Sequence, residues 1–143
     1  MRAADAVAAT LAHPGVRTRD PAIRPLVVLV VDDEQSVRRV ERQVLEQAGY
    51  TVVEAATADE ALEAARDDRR PIDVLVTDLT LPGLQGPDLA GRLLALLPTL
   101  GVVFTSGYDQ ASSPAGRFPG SMFLQKPFTV EALATAVAAV SSG

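Results

Sequence analysis

From Leu26 onward, apolar residues alternate between short continuous runs and runs in which they recur every three or four positions. The run at residues 26–31 is rich in valine and free of polar residues, which is typical of a strand buried on both faces. Helical spacing follows most of these runs, and charged side chains stand between the apolar ones. The pattern predicts four further strands, at residues 50–55, 72–77, 101–105 and 121–125.

Local signals mark where the intervening helices begin and end. Gly49 is expected to end the first helix, because glycine readily takes the left-handed conformation found there. Thr57 followed by Glu60 is the capping-box pattern that begins a helix. Thr129 is the expected cap of the last helix, which we place at residues 130–140.

Five strands alternating with helices predict an α/β fold with one parallel sheet and helices on both of its faces. Right-handed crossovers favour a doubly wound, flavodoxin-like sheet of strand order 2-1-3-4-5. The segment between the fourth and fifth strands contains Pro114, Gly116, Pro119 and Gly120. We therefore expect the fourth helix to be short or irregular.

The length of 143 residues fits one core, which we assign to a domain at residues 25–143. Residues 1–24 are alanine-rich and then rich in proline and arginine. We interpret them as an N-terminal extension, flexible or transiently helical.

Composition narrows the function classes. The net charge of -5 and pI of about 4.8 disfavour broad binding to nucleic acid or to an anionic membrane. The chain has no cysteine, which excludes disulfides, zinc–thiolate sites and thiol nucleophiles. No apolar run is long enough to cross a bilayer, and no secretory signal is recognisable. We expect a cytoplasmic protein.

Reactive side chains stand at the carboxyl ends of the predicted strands, where doubly wound sheets bind their ligands. These residues are Asp32, Asp33, Asp78, Thr105 and Lys126. Converging carboxylates repel one another unless a cation neutralises them, and Mg2+ (or Mn2+) suits an oxygen-rich site. With a metal and an ammonium nearby, a carboxylate can act as a nucleophile and form an acyl phosphate.

Four blocks of sequence resemble the signature motifs of response-regulator receiver domains of two-component signalling. They are VLVVDDE at 28–34, VTDLTLPG at 76–83, VFTSGY at 103–108 and QKPF at 125–128. The resemblance implies that Asp78 is the phosphoacceptor and that Asp32 and Asp33 hold the metal. It also implies that Thr80, two residues after the acceptor, completes the metal site through its backbone carbonyl.

The remaining roles follow from the same resemblance. Thr105 matches the switch hydroxyl, Lys126 the lysine of the site, and Phe123 the switch aromatic. The Lys126–Pro127 bond is expected to be cis. For Phe123, packing in the core is a nearly equal alternative.

The implied function is a phosphorelay domain that is not an enzyme in the ordinary sense, although it assists its own phosphorylation and dephosphorylation. A histidine kinase or histidine phosphotransfer protein is the expected donor to Asp78. The signal then passes through protein contacts, or the domain acts as a phosphate sink. Only 17 residues follow Lys126, so we expect a stand-alone receiver or one related to hybrid histidine kinases. The downstream target and the oligomeric state stay open.

Two other classes of protein share part of this pattern. A pseudo-receiver would keep the fold and bind partners without phosphorylation, but the full set of reactive residues speaks against it. A phosphatase of the haloacid-dehalogenase type needs an acidic residue where Thr80 stands. The alternative to metal binding for Asp32 and Asp33 is capping of the first helix, whose dipole favours acidic residues at its start. His13, the single histidine, precedes Pro14 and Gly15 in the extension and is not expected to be a phosphodonor.

Overall fold

The computed structural model describes residues 25–107, 114 and 116–141. The extension expected at residues 1–24 lies outside the described residues. The described residues form five strands and four helices, which alternate except between the last two strands. In order they are β1 Val27–Val31, α1 Gln35–Gln47, β2 Thr51–Ala55, α2 Ala58–Ala65, β3 Val74–Asp78, α3 Gly86–Leu96, β4 Gly101–Ser106, β5 Met122–Gln125 and α4 Val130–Val140.

The strands form one parallel sheet in the order β2-β1-β3-β4-β5. This is the predicted 2-1-3-4-5 order, so the doubly wound fold is confirmed. The three central strands are β1, β3 and β4. Nearly all their residues are buried, whereas β2 and β5 form the edges and are partly exposed. Burial on both faces explains why the central strands are uninterrupted apolar runs.

Two apolar clusters cover the two faces of the sheet, because successive residues of a strand point to opposite sides. Val28 and Val30 of β1 belong to the cluster under α1 and α4, whereas Leu29 and Val31 belong to the cluster under α2 and α3. The strand ends that carry the reactive residues emerge between these two layers.

Element boundaries differ slightly from the prediction. The third strand begins at Val74 rather than at residue 72 and includes Asp78 as its last residue. Asp73 is outside the strand and ties the two neighbouring strands together: its carboxylate accepts from the Val27 backbone N–H at 2.8 Å. Apolar pattern alone did not distinguish this polar anchor from the strand that follows it.

The predicted helix signals are confirmed. Gly49 has a φ of 102°, the left-handed conformation that ends α1. The Thr129 hydroxyl accepts from the Ala132 backbone N–H at the start of α4. At α2, the Thr57 hydroxyl accepts from the Glu60 backbone N–H at 3.1 Å, and the Glu60 carboxylate accepts from the Ala56 backbone N–H at 2.8 Å.

Thr57→Ala is expected to lower the free energy of unfolding by about 1 kcal/mol, because it leaves backbone N–H groups of α2 without their cap. Urea denaturation followed by circular dichroism measures this loss. Thr57→Ser keeps the hydroxyl and should stay close to the wild type. Equal stability of the alanine and serine variants would contradict the cap.

The segment between β4 and β5 contains no helix in the part that the structure describes, which is Gly107, Pro114 and residues 116–121. Instead, turns bring Phe118 against Phe104, with ring centroids 5.3 Å apart, and Arg117 lies over the Phe118 ring. The prediction of a short or irregular fourth helix agrees with this part. Among the described helices, none has the length and apolar character needed to span a bilayer.

Candidate phosphorylation and metal site

The predicted site residues meet at one edge of the sheet. Asp32 follows β1, Asp78 ends β3, Thr105 is the penultimate residue of β4, and Lys126 follows β5. Asp78 and Thr105 are partners in the register of β3 and β4, so their side chains leave the sheet on the same side. The residues come from positions up to 94 apart in sequence.

Three carboxylates form the centre of this edge. Oxygens of Asp32, Asp33 and Asp78 all lie within 4.8 Å of one another. Their environments differ, because Asp32 is 1% exposed, Asp78 is half-buried and Asp33 is exposed. The cluster therefore has a closed side and a side open to solvent.

Lys126 is the only lysine in the sequence, and its ammonium bridges two of the carboxylates. Its Nζ donates to Asp32 Oδ2 at 2.9 Å and to Asp78 Oδ2 at 3.2 Å. Burial alone lowers the pKa of Lys126, but the hydrogen bonds and attraction from Asp32 and Asp78 outweigh burial and raise it above its ordinary value. The lysine is therefore held as a cation between the two acids.

Backbone contacts fix the position of Lys126. Its N–H donates to the Ser106 carbonyl at 2.7 Å, which attaches it to the end of β4. The Lys126–Pro127 peptide bond is cis, as predicted.

Asp32 is oriented from the side of α1. Its Oδ1 accepts from the Glu34 backbone N–H at 2.9 Å. Glu34 is the N-cap residue of α1, and its side chain makes no capping hydrogen bond. Asp32 therefore stabilises the turn that precedes the helix and is not the cap itself. Arg38 donates to the Asp32 carbonyl at 2.8 Å and also pairs with Glu54 of β2. In the sequence, Arg38 is one of several charged residues between the apolar positions of this helix, and no local pattern distinguishes it from the others.

Asp78 is held from the chain that follows it. The Thr80 backbone N–H donates to Asp78 Oδ1 at 3.3 Å, and the Leu79 N–H donates to the Thr105 carbonyl at 2.9 Å. Gly86, the first residue of α3, packs directly against the Asp78 backbone, where an added Cβ would lie 2.2 Å from the Asp78 carbonyl oxygen. The expected role of the Thr80 carbonyl as a metal ligand stays a prediction.

Phe123 of β5 comes directly before Leu124, the register partner of Thr105. It is half-buried, pairs in register with Phe104, and packs against the cluster under α2 and α3. Thr105, by contrast, is 1% exposed and points to the opposite face. Packing is thus observed for Phe123, and its switching role stays a prediction.

Glu41 is a residue that the sequence pattern had not singled out. It lies on the buried face of α1 at 2% exposure, and its Oε2 has no hydrogen-bond partner. Burial, followed by repulsion from Asp32, raises the pKa of Glu41 to about 8, against a smaller opposing effect of Lys126. A charged residue between apolar α1 positions was the available signal, but helical spacing by itself does not separate a buried from a solvated glutamate.

The donor set fits a divalent cation. Lys126 compensates one of the three clustered carboxylate charges, which leaves excess negative charge on oxygen atoms that share one centre. A hard cation such as Mg2+ takes one or two carboxylates and keeps several waters, and the exposed side of the cluster leaves room for them. Asp32, Asp33 and Asp78 are the residues that would hold it.

Comparisons with known proteins agree with this geometry. The family model described as "Response regulator receiver domain" matches residues 28–138. The chain is 38% identical over 113 residues to the sensor kinase CckA of Brucella abortus, covering 77% of this chain and 12% of that protein. It is 36% identical over 106 residues to the transcriptional regulatory protein KdpE of Mycobacterium tuberculosis, covering 73% of this chain and 46% of that protein.

A solved structure supports the same assignment. The receiver domain of the hybrid histidine kinase CckA aligns with a TM-score of 0.69 at 35% identity, covering 81% of this chain and 99% of that one. The chain spans less than half the length of the curated relatives it matches. The match over most of the chain, together with the acidic cluster and its bridging lysine, shows that this protein belongs to the response regulator receiver domain family.

Proposed function

We propose that the protein accepts a phosphoryl group on Asp78 and works as a receiver in a two-component phosphorelay. One observation carries the proposal: the single lysine of the chain bridges Asp78 and the buried Asp32 inside a cluster of three carboxylates. A plain structural ion pair needs only one acid, whereas the additional acids provide ligands for a metal beside a nucleophile.

The proposed step is the transfer of a phosphoryl group from a donor to an Asp78 carboxylate oxygen. An oxygen–phosphorus bond forms, the bond from phosphorus to the donor's leaving atom breaks, and the donor departs with that electron pair. Lys126 offers its ammonium to the phosphoryl oxygens, and Thr105 offers its hydroxyl. Asp32, Asp33 and Asp78 would hold Mg2+ or Mn2+, which would offset charge on the phosphoryl oxygens.

The proposed donor is a histidine kinase or a histidine phosphotransfer protein, since receivers of this family serve two-component systems. An apolar surface beside the site supports docking of a protein. Val40 of α1 is 59% exposed and lines, with Pro127 and Phe128, a groove that reaches Lys126. Apolar residues exposed beside a reactive group are a common mark of a protein contact.

We propose that this relay operates in the cytoplasm. The protein then signals through contacts with other proteins or acts as a phosphate sink, and it binds neither nucleic acid nor membrane. The family is a signalling domain, and the catalysis proposed here is confined to the protein's own phosphorylation and dephosphorylation. Movement of Thr105 toward the phosphoryl group, with an accompanying shift of Phe123, is the proposed switch.

Asp78→Asn is expected to abolish formation of the phosphoryl adduct, because the amide that replaces the carboxylate is not a nucleophile. The protein is incubated with Mg2+ and acetyl phosphate, and the intact mass is measured for the gain of one phosphoryl group. Beryllofluoride binding, followed by fluorine NMR, gives a second readout. Chelation of the metal should prevent both in the wild type.

Asp88→Asn is the matched control, because Asp88 is an exposed aspartate in the first turn of α3, outside the cluster. It should form the adduct as the wild type does. An adduct that persists in Asp78→Asn would refute the acceptor. Absence of any adduct in the wild type would favour a pseudo-receiver, and steady turnover of unrelated phosphate esters would favour a phosphatase.

A further inference from the structure

Glu41 is the one buried acid among the described residues whose carboxylate has an oxygen without a hydrogen-bond partner. It stands one turn before Leu45, and these two residues are the buried positions of α1. An apolar side chain would pack at this buried helix position without a penalty, whereas a buried oxygen that lacks a hydrogen-bond donor lowers the stability of the fold. Sites that retain a destabilising polar group beside reactive residues are candidates for function.

The surroundings of Glu41 connect it to Lys126. The two residues line the same groove of about 550 Å³, together with Ser36, Val37, Val40, Pro127 and Phe128. The charges acting on Glu41 from the packed elements are those of Asp32 after β1, Asp78 at the end of β3, and Lys126 after β5. Lys126 attracts the ionised form of Glu41, and the two aspartates repel it.

Glu41 lies on the same side of the sheet as the side chains of the phosphorylation site, as the alternation of residues along the strands shows. Val30, Val76 and Val103 belong to the cluster under α1 and α4, and Asp32, Asp78 and Thr105 each stand two residues further along. Residues two apart in a strand point to the same face. The inner face of α1, which carries Glu41, therefore covers the layer from which the site residues emerge.

We infer that Glu41 is a positioning residue of the phosphorylation site, which acts through Lys126 by competing with Asp78 for the lysine's ammonium. This inference rests on the proposed function of Asp78. An ammonium has three N–H donors, and two of those of Lys126 go to Asp32 and Asp78. An ionised Glu41 attracts the ammonium from the α1 side and weakens its hold on Asp78, whereas a neutral Glu41 does not.

The competition depends on pH in a definite direction. Because the pKa of Glu41 is raised to about 8, its carboxyl is mostly neutral at pH 7 and ionises above pH 8. Lys126 is thus fully available to Asp78 at neutral pH and less available at alkaline pH. Glu41→Gln fixes a neutral side chain of the same shape and should remove this dependence.

Carbon NMR of the metal-free protein tests the contact directly. Because Lys126 is the only lysine, labelled lysine gives a single side-chain Cε resonance. We expect this resonance in the wild type to shift with a midpoint near pH 8, and the shift to be absent in Glu41→Gln. The control Glu46→Gln removes an exposed glutamate of the same helix, which pairs with Arg42, and should keep the shift.

Kinetics with Mg2+ and acetyl phosphate give the functional readout. The rate of adduct formation in Glu41→Gln relative to the wild type should rise by at least about threefold between pH 6.5 and pH 9, on the scale of one charge acting through a partly buried site. Glu46→Gln should show a constant ratio. A merely structural role would change stability without changing this ratio.

Stability provides a separate check that Glu41 titrates. The folded pKa of Glu41 is above its ordinary value of 4.5, so the wild type is expected to lose stability relative to Glu41→Gln as pH rises from about 4.5 through about 8. The melting temperatures of both proteins across this range measure the difference.

The outcomes are distinguishable. A lysine resonance that does not shift near pH 8, or that still shifts in Glu41→Gln, overturns the inference whatever the kinetics show. A constant rate ratio also overturns it. Failure of the wild type to form any adduct refutes the proposed function instead, and the metal-free NMR measurement still decides whether Glu41 acts on Lys126.

Discussion

Replacing Gly86 with alanine is expected to lower the free energy of unfolding by about 3 kcal/mol, at the upper end of ordinary overpacking. The new Cβ would lie 2.2 Å from the carbonyl oxygen of Asp78 and 3.0 Å from the Cα of Leu79. Both atoms belong to the backbone, so no side-chain rotation relieves the contact. The chain at the end of β3 must move, and Asp78 moves with it.

The same substitution should reduce phosphorylation more than loss of folded protein explains. The Gly86 N–H donates to the Leu79 carbonyl at 2.8 Å, which holds the start of α3 against the residue after the acceptor. Displacement there shifts Asp78 relative to Lys126. The measurement is the rate of adduct formation with Mg2+ and acetyl phosphate, normalised to the folded fraction.

Gly91→Ala is the matched control, because Gly91 lies in the same helix, is exposed, and has no atom within 4 Å of an added Cβ. Alanine has the higher helix propensity, so this variant should gain about 0.5–1 kcal/mol. Equal stability of Gly86→Ala and wild type in urea denaturation would show that the close approach of α3 to Asp78 is not rigid.

Lys126→Met is expected to destabilise the metal-free protein by about 3 kcal/mol, because it leaves the buried Asp32 without its counter-ion. Methionine keeps most of the aliphatic length and removes the ammonium, so the loss reflects charge rather than packing. Asp32 is 1% exposed, and the Lys126 side chain is 21% exposed, so solvent screens this pair weakly. The three clustered carboxylates then repel one another without compensation.

Mg2+ should restore much of the stability lost in Lys126→Met, because a divalent cation neutralises the same carboxylates. Urea denaturation with Mg2+ and with a chelator measures the free energies of unfolding. Arg42→Met is the control: Arg42 is 45% exposed and pairs with Glu46 and Glu54, so its loss should cost less than about 1 kcal/mol and should not respond to Mg2+. A metal-free Lys126→Met protein as stable as wild type would contradict the electrostatic account.

Sequence periodicity was sufficient for the architecture, for a physical reason. A strand buried on both faces must be apolar at every position, and a helix packed on a sheet must repeat its apolar residues every three to four positions. These constraints are local, so the five strands, the order of elements and the caps at Thr57 and Thr129 could be predicted. The boundary of the third strand was predicted two residues too early, because the anchor at Asp73 depends on hydrogen bonds to another strand, which are not local.

The site residues could also be named in advance, because parallel strands bring their carboxyl ends to one edge. The sequence did not show which of these residues are buried and which are exposed to solvent. Asp32 and Asp33 are adjacent and chemically identical, yet one is buried and the other exposed. Only the path of the chain from β1 into α1 decides which one faces the core.

The sequence by itself determined the fold class, the reactive residue types and the resemblance that connects them. The tertiary structure alone decided that Lys126 bridges acids 94 and 48 residues away, that Gly86 lies against the Asp78 backbone, and that Glu41 is buried with its Oε2 lacking a hydrogen-bond partner. Local pattern reports the face on which a side chain lies. Distances between side chains depend on how separate elements pack, and that information exists only in the folded chain.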